Sequence, residues 1–164
     1  MTIGLLVLRL IIGIVMAGHG AQKLFGWLGG YGLEGTGGYF AGLGFRPGRF
    51  FAFAAGASEL LGGILTALGF LGPIGPALML APMIVAAITV HWQHGLFATT
   101  NGIELPLLYA AAAITLGLTG PGAWSLDALL GIATSLQVNA VVLVAGAAGG
   151  FANLALRRRE AVTA

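Results

Sequence analysis

The 164-residue chain contains no cysteine, and only 7% of its residues are charged. The absence of cysteine excludes disulfides, thiolate catalysis and every haem or iron–sulfur site that needs a cysteine ligand. A soluble domain carries about 25% charged residues, so the low charge excludes that class. The sequence also lacks a hydrolase triad and a dinucleotide-binding motif, and the glycines around Glu34 lack the lysine and hydroxyl of a phosphate loop.

The chain consists largely of long apolar stretches. Apolar residues make up 58% of the chain, and several stretches approach the ~20 residues needed to cross a bilayer. The predicted spans are residues 3–25, 49–70, 74–93, 103–118 and 126–156. The sequence therefore predicts an all-α protein, a polytopic transmembrane helix bundle. Because Arg9 lies inside the first stretch and no basic residue precedes it, we expect a retained helix there rather than a signal peptide.

Turns and small residues indicate how the spans are arranged. We expect residues 1–130 to form a four-helix membrane core with a surface loop and short helix at 27–48, and residues 131–164 to form a fifth transmembrane helix with a basic C-terminal tail. The 29 glycines allow close helix contacts, and we expect the glycine-rich faces of the second and fifth spans to bind partner helices or a second copy. Pro82 should bend the third span and free a carbonyl for a neighbouring donor.

The basic residues predict the orientation in the lipid bilayer. With five spans, the loops after the first and third spans share a side with the C-terminus. Six basic residues fall on that side: Lys23, Arg46, Arg49, Arg157, Arg158 and Arg159. The other side carries Arg9 alone, and an excess of Lys and Arg marks the cytoplasmic side. We predict an inner (plasma) membrane protein with its N-terminus outside, its C-terminus in the cytoplasm and no nucleic-acid partner.

Five ionisable residues are predicted to form a ligand-binding polar cluster near the cytoplasmic ends of the spans: His19, Lys23, Glu59, His91 and Glu104. An ionised group near the bilayer centre costs at least ~2.5 kcal/mol, so Glu59 is expected to face the bundle interior, paired or neutral. The same residues also allow plainer roles. Glu59 can be a neutral acid bonded to a carbonyl, and Lys23 can pair with Glu104 or extend to the interface.

Two further sets of polar residues suggest an ion pair and a metal site. Arg9 and Asp127 are predicted to form an ion pair that ties the first span to the start of the fifth. Two histidines and a carboxylate can bind iron or zinc, and His91, His94 and Glu104 supply those ligand types. The two histidines straddle a helix end, however, and we predict no metal site.

The order of these residues resembles the DoxX family of small bacterial and archaeal membrane proteins. The resemblance covers residues 5–131. It rests on Arg9, His19-Gly-x-x-Lys23, Gly56-Ala-Ser-Glu59-Leu-Leu-Gly-Gly, His91, Glu104 and Ser125-Leu126-Asp127. It implies a four-helix membrane bundle, to which the fifth, C-terminal span of this chain is an addition.

The resemblance also implies a function. Some relatives are named as subunits of a quinol oxidase or a thiosulfate:quinone oxidoreductase, and others as part of a redox-defence complex. The chain has no recognisable redox centre, so we expect no intrinsic cofactor, a quinone or other lipophilic ligand in the polar-lined pocket, and partner subunits that carry the electrons. The chain is then at most one subunit of a quinone-dependent membrane oxidoreductase. A non-catalytic scaffold or assembly subunit and a small lipophile carrier stay open as alternatives.

Overall fold

A computed structural model describes residues 2–158, which fold into helices without any strand. The helices are α1 (Thr2–Phe25), α2 (Gly32–Gly42), α3 (Gly48–Leu68), α4 (Ile74–Ala86), α5 (Glu104–Thr119), α6 (Leu126–Leu130) and α7 (Leu136–Ala155). α4 continues as a π-helical turn over Ala87–His91 and a 3-10 turn over Trp92–His94. Single 3-10 turns at Trp27–Gly29 and Ala98–Thr100 lie in the connections. The all-α prediction is confirmed.

Most of the predicted spans are long enough to cross a membrane. Within residues 2–158, four segments have the required length and apolar character: Ile3–Phe25, Gly48–Leu68, Ile74–His94 and Leu136–Ala155. α5 is apolar but has only 16 residues. Its length of roughly 24 Å is less than the ~30 Å of a hydrocarbon core, yet its two ends reach opposite ends of the bundle.

The chain runs through the bundle five times in alternating directions. α7 is parallel to α4, because Gly146 packs on Ala77 and Gly150 packs on Ala81. α1 runs the same way, and α3 and α5 run against them. The loops after α1 and α4 and the end of α7 meet at one end of the bundle, which we call the site end. The guanidinium of Arg9 lies at the opposite end, which we call the Arg9 end.

The prediction of one continuous helix over residues 126–156 is wrong. Gly131 ends α6 in a left-handed conformation with φ at 68°, which glycine adopts without a steric penalty. The chain begins a new helix after Ser135, whose side chain accepts a hydrogen bond from the Val138 amide (3.3 Å). Asp127 therefore lies in the short α6 and not in a membrane-spanning helix. The last arginine of the predicted basic tail, Arg159, lies outside the described residues.

Glycines permit a close helix contact between α1 and α3. A Cβ added to Gly13 would lie 2.5 Å from the carbonyl oxygen of Gly63. One added to Gly20 would lie 2.4 Å from the backbone nitrogen of Leu60. Such distances leave no room for a side chain, so the two backbones are in direct contact at these positions.

Other glycines, which we expected to face partner helices, are covered within the chain. Gly62 of α3 packs on α4, where a Cβ would lie 2.9 Å from the carbonyl oxygen of Gly75. Gly146 and Gly150 of α7 also pack on α4. These glycines are therefore used for packing within the chain. Binding of partner helices or of a second copy through glycine-rich helix faces stays a prediction.

Arg9 and Asp127 lie at the same end of the bundle but do not form the predicted ion pair. Arg9 Nη1 donates to the carbonyl of Ala67 at 2.5 Å, and Nη2 donates to the carbonyl of Trp124. The Asp127 carboxylate accepts from the two backbone amides of the turn at 71–72, at 2.9 and 2.6 Å. The prediction of a direct pair fails because the free backbone groups at the end of α3 and in the turn after it hydrogen-bond both side chains.

Replacement of Gly20 by alanine should destabilise the fold. The added Cβ would meet the backbone of Leu60 at 2.4 Å, and overpacking of this kind costs about 1–3 kcal/mol. The matched control is Gly149→Ala in α7, because nothing lies within 4 Å of a Cβ at that position. Unfolding of both variants in mixed detergent micelles gives the two free energies. Equal stabilities would contradict direct backbone contact between α1 and α3.

Candidate functional site

A cavity of about 530 Å³ lies in the site end of the bundle, and we call it the site cavity. α1, α3, α4 and α5 contribute its walls, and α2, the turn after it and α7 add further residues. Its polar lining residues are His19, Lys23, Tyr39, Ser58, Glu59, Thr89, His91, Tyr109 and Asn153. Phe45, Phe51 and Met83 belong to the apolar remainder. The cavity therefore combines apolar walls with a limited set of hydrogen-bonding groups.

The structure brings together four of the five residues of the predicted cluster. His19, Lys23, Glu59 and His91 all line the site cavity. Glu104 does not: its carboxylate accepts a hydrogen bond from the backbone amide of Ala98 at 2.7 Å and so stabilises the loop before α5. The inclusion of Glu104 in the cluster is wrong because sequence position placed it at the correct end of the bundle but not on the inner face of α5.

Glu59 forms an ion pair with Lys23 across the contact between α1 and α3. Lys23 Nζ lies 2.5 Å from Glu59 Oε2, and the Glu59 side chain is 2% exposed. Two of the predicted alternatives are therefore wrong: Lys23 does not pair with Glu104, and Glu59 does not bond to a carbonyl. Taking a carboxylate out of water costs several kcal/mol unless a partner compensates it, so Lys23 is the group that allows a charged Glu59 at this depth.

Both cavity histidines have one ring nitrogen fixed by a hydrogen-bond acceptor. His91 Nδ1 lies 2.7 Å from the carbonyl oxygen of Asn101, and His19 Nδ1 lies 3.2 Å from Gln22 Oε1. The Gln22 amide is oriented by its own donation to the Leu28 carbonyl at 3.1 Å. A carbonyl oxygen can only accept, so Nδ1 carries the hydrogen in both rings. In the neutral form of this tautomer, Nε2 of each ring is an acceptor.

His94 is engaged elsewhere and does not extend the cluster towards a metal site. Its Nδ1 lies 2.9 Å from the carbonyl oxygen of Val90, within its own helical segment. Across residues 2–158, no group of three His, Asp or Glu side chains lies close enough to hold a metal ion. The polar end of the cavity is therefore described by hydrogen bonds and one ion pair.

Ser58 supplies the hydrogen-bond donor that Pro82 removes from α4. Pro82 lies inside α4 and has no N–H, so the carbonyl of Leu78 loses its partner in the helix. Ser58 Oγ donates to that carbonyl at 2.7 Å across the α3–α4 contact. The sequence predicted the freed carbonyl, and the structure supplies its donor. The π-helical turn over Ala87–His91 lies farther along α4 and carries Thr89 and His91 into the cavity lining.

Tyr109, like Tyr39, Thr89 and Asn153, lines the cavity but was not predicted from the sequence to belong to the site. Its ring lies edge-on to His19, with ring centroids 6.0 Å apart and an angle of 87° between the planes. The signal was present, since Tyr109 is the only tyrosine inside a predicted span. A phenol buried in an apolar helix usually finds a polar partner, which could have placed it in the cluster.

Comparison with known proteins gives the family. A sequence model of DoxX matches residues 4–92. The protein named "Putative oxidoreductase CatD" of Bacillus subtilis (strain 168) is 34% identical over 125 residues, which are 76% of this chain and 85% of the relative. The chain belongs to the DoxX family. No solved structure matches it.

The segment that matches DoxX contains the Lys23–Glu59 ion pair and both cavity histidines. His19, Lys23, Glu59 and His91 all fall inside residues 4–92. Tyr109 and Asn153 fall outside the matched range, although they line the same cavity. The site of this DoxX protein is thus built partly from the matched segment and partly from the helices that follow it.

Ser58→Ala should destabilise this DoxX protein by about 1 kcal/mol, because it leaves the half-buried Leu78 carbonyl without a donor. Pro82→Ala restores a backbone N–H at position 82, which can donate to Leu78 within α4. The double variant should therefore lose less stability than the sum of the two single variants. Unfolding free energies of the four proteins complete the cycle, and strict additivity would refute the coupling.

Lys23→Met should be the most damaging single change at the pair. It leaves the Glu59 carboxylate buried without compensation, which costs about 3–5 kcal/mol. The double variant Lys23→Met with Glu59→Gln removes both charges and should regain most of that loss. Thermal unfolding in detergent compares the two. A double variant as unstable as Lys23→Met would show that packing, and not charge, sets the effect.

Proposed function

We propose that this protein is a quinone-binding subunit of a membrane oxidoreductase and that the site cavity holds the quinone. The observation that carries the proposal is a cavity of about 530 Å³ with apolar walls and a polar end inside a membrane helix bundle. Ligand sites commonly measure about 300–1,000 Å³ and combine mostly apolar walls with a few polar groups. The DoxX match and the oxidoreductase name of the relative support the choice of ligand class.

The polar groups at the cavity match both redox forms of a quinone. A quinol has two hydroxyls that donate hydrogen bonds, and the Nε2 atoms of His19 and His91 are available acceptors. A quinone has two carbonyls that accept, and Lys23 Nζ has three N–H groups, of which one is directed to Glu59. The Tyr109 hydroxyl can either donate or accept. The same side chains can therefore hydrogen-bond the quinone and the quinol without a large rearrangement of the site.

The two cavity histidines can also accept the protons that the reaction releases. Oxidation of a quinol to a quinone releases two electrons and two protons. Nε2 of His19 and Nε2 of His91 can each accept one of these protons as a general base. The chain contains no cysteine, and we assign the two electrons to a redox centre in a partner subunit.

We further propose that the site end faces the cytoplasm of a prokaryotic cell, in the plasma membrane. Five of the basic residues in the described part of the chain belong to the site end: Lys23, Arg46, Arg49, Arg157 and Arg158. Arg9 is the single cation at the opposite end of residues 2–158. Under the positive-inside rule this places the N-terminus outside, and protons released at the histidines would leave to the cytoplasm.

Substitution of His91 should weaken quinone binding. His91→Ala removes an acceptor from the cavity, and loss of one hydrogen bond to the ligand corresponds to about a tenfold rise in Kd. The matched control is His94→Ala, because His94 lies three residues away, bonds to Val90 and does not line the cavity. Titration with a short-chain ubiquinone or menaquinone, followed by tryptophan fluorescence of purified protein, measures both.

Three results would count against the proposal. No quinone binding by the folded wild-type protein would favour a scaffold role, in which the Lys23–Glu59 pair only holds α1 to α3. Equal affinities of His91→Ala and His94→Ala would place the quinone outside the site cavity. Tight binding of lipophiles without carbonyl or hydroxyl groups would favour a carrier. Mass spectrometry of the lipids and quinones that copurify with native protein, repeated for Glu59→Gln, checks the result without an added ligand.

A further inference from the structure

The Arg9 end carries a second pocket, of about 480 Å³, that the proposed quinone function does not use. Arg9 lines it together with the last residues of α3 and the segment that leads into α6. Arg9 is buried, with 3% of the residue exposed. A cation at this degree of burial requires compensation, either from dipoles or from a negative charge.

The charge of Arg9 is only partly compensated by the residues around it. Two of its nitrogens donate to backbone carbonyls, of Ala67 and Trp124. Its Nε is buried and has no hydrogen-bond partner among the described residues. The nearest acid in this region, Asp127, hydrogen-bonds to the turn after α3 and does not line the pocket. A ligand in the pocket therefore meets the guanidinium and not the carboxylate.

The surroundings of the pocket are suited to an amphiphile in the membrane interface. Ala67 and Leu68, which line it, are the last residues of α3, so the pocket lies at the level where a membrane span ends. Trp124 and Leu129 also line it, and they are 66% and 78% exposed. Tryptophan is enriched at the level of lipid headgroups, and an exposed leucine beside it can contact an acyl chain.

We propose that Arg9 binds the phosphate of an anionic phospholipid in this pocket. A guanidinium has five N–H donors in a planar arrangement that matches phosphate oxygens, and two of them are used by the backbone. The phosphate accepts from the Nη N–H groups that the backbone does not use, and it supplies the negative charge that the described residues do not provide in the pocket. The apolar rim holds the lipid glycerol and the start of its chains. This site is independent of the site cavity and of the ligand held there.

A charge series on α6 tests the site without breaking the bonds of Arg9. Leu129→Glu places a carboxylate at the rim of the pocket, and Leu130→Glu is the matched control, because Leu130 is exposed but does not line the pocket. Delipidated protein in neutral detergent is titrated with short-chain phosphatidylglycerol, and bound lipid is counted by native mass spectrometry. We expect Leu129→Glu to raise the Kd about threefold or more through like-charge repulsion and Leu130→Glu to change it less.

Further arms identify the ligand chemistry. Inorganic phosphate and a short-chain diacylglycerol should each bind at least about tenfold more weakly than phosphatidylglycerol, because each lacks one half of the amphiphile. Arg9→Lys, tested only where its unfolding temperature stays near that of the wild type, should also raise the Kd for the lipid. Equal lipid binding by wild type, Leu129→Glu and Leu130→Glu would overturn the proposal. Inorganic phosphate binding as tightly as the lipid would assign the pocket to a free anion instead.

Discussion

Direct backbone contact between α1 and α3 is the constraint on which the rest of the structure depends. Gly13, Ala17 and Gly20 follow one another at intervals of four and three residues, so they lie on one face of α1. Lys23 is the next residue on that face. On α3, Glu59 lies between Gly56 and Gly63 at the same spacing. The ion pair is therefore a position in the helix contact itself, and the glycines fix the separation at which lysine and glutamate meet.

The pair also determines what kind of ligand the site cavity can hold. Lys23 and Glu59 compensate each other, so the wall presents a strong dipole but no net charge. Each of the two histidines directs Nδ1 to a carbonyl oxygen, which leaves Nε2 for the ligand. A neutral ligand with hydrogen-bonding groups at one end meets these conditions, whereas a charged ligand would compete with one member of the Lys23–Glu59 pair. This electrostatic argument favours a quinone over a lipid with an ionised head.

The sequence predicted the features that depend on composition and periodicity, and it failed where side chains had a choice of partner. Span positions follow from runs of apolar residues, and the end of the bundle to which each polar residue belongs follows from alternation. Lys23 had two candidate carboxylates, and it pairs with Glu59 and not with Glu104 because α1 packs against α3. Arg9 and Asp127 were predicted at the same end of the bundle, but both side chains hydrogen-bond to backbone groups near the turn after α3. The break at Gly131 was missed because hydrophobicity continues on both sides of it.

α7 is a part of the site and not only an addition to the DoxX core. It packs along α4 through Gly146 and Gly150, which bring the two helices into backbone contact. Near its end, Asn153 lines the site cavity. Arg157 Nε then donates to the carbonyl of Leu43 at 2.5 Å, in the turn that joins α2 to α3. Because Leu43 also lines the cavity, the end of α7 holds one edge of the site in place. Removal of α7 would therefore open the cavity on the side of α4, although every residue of the ion pair and both histidines lie in the first 92 residues of the chain.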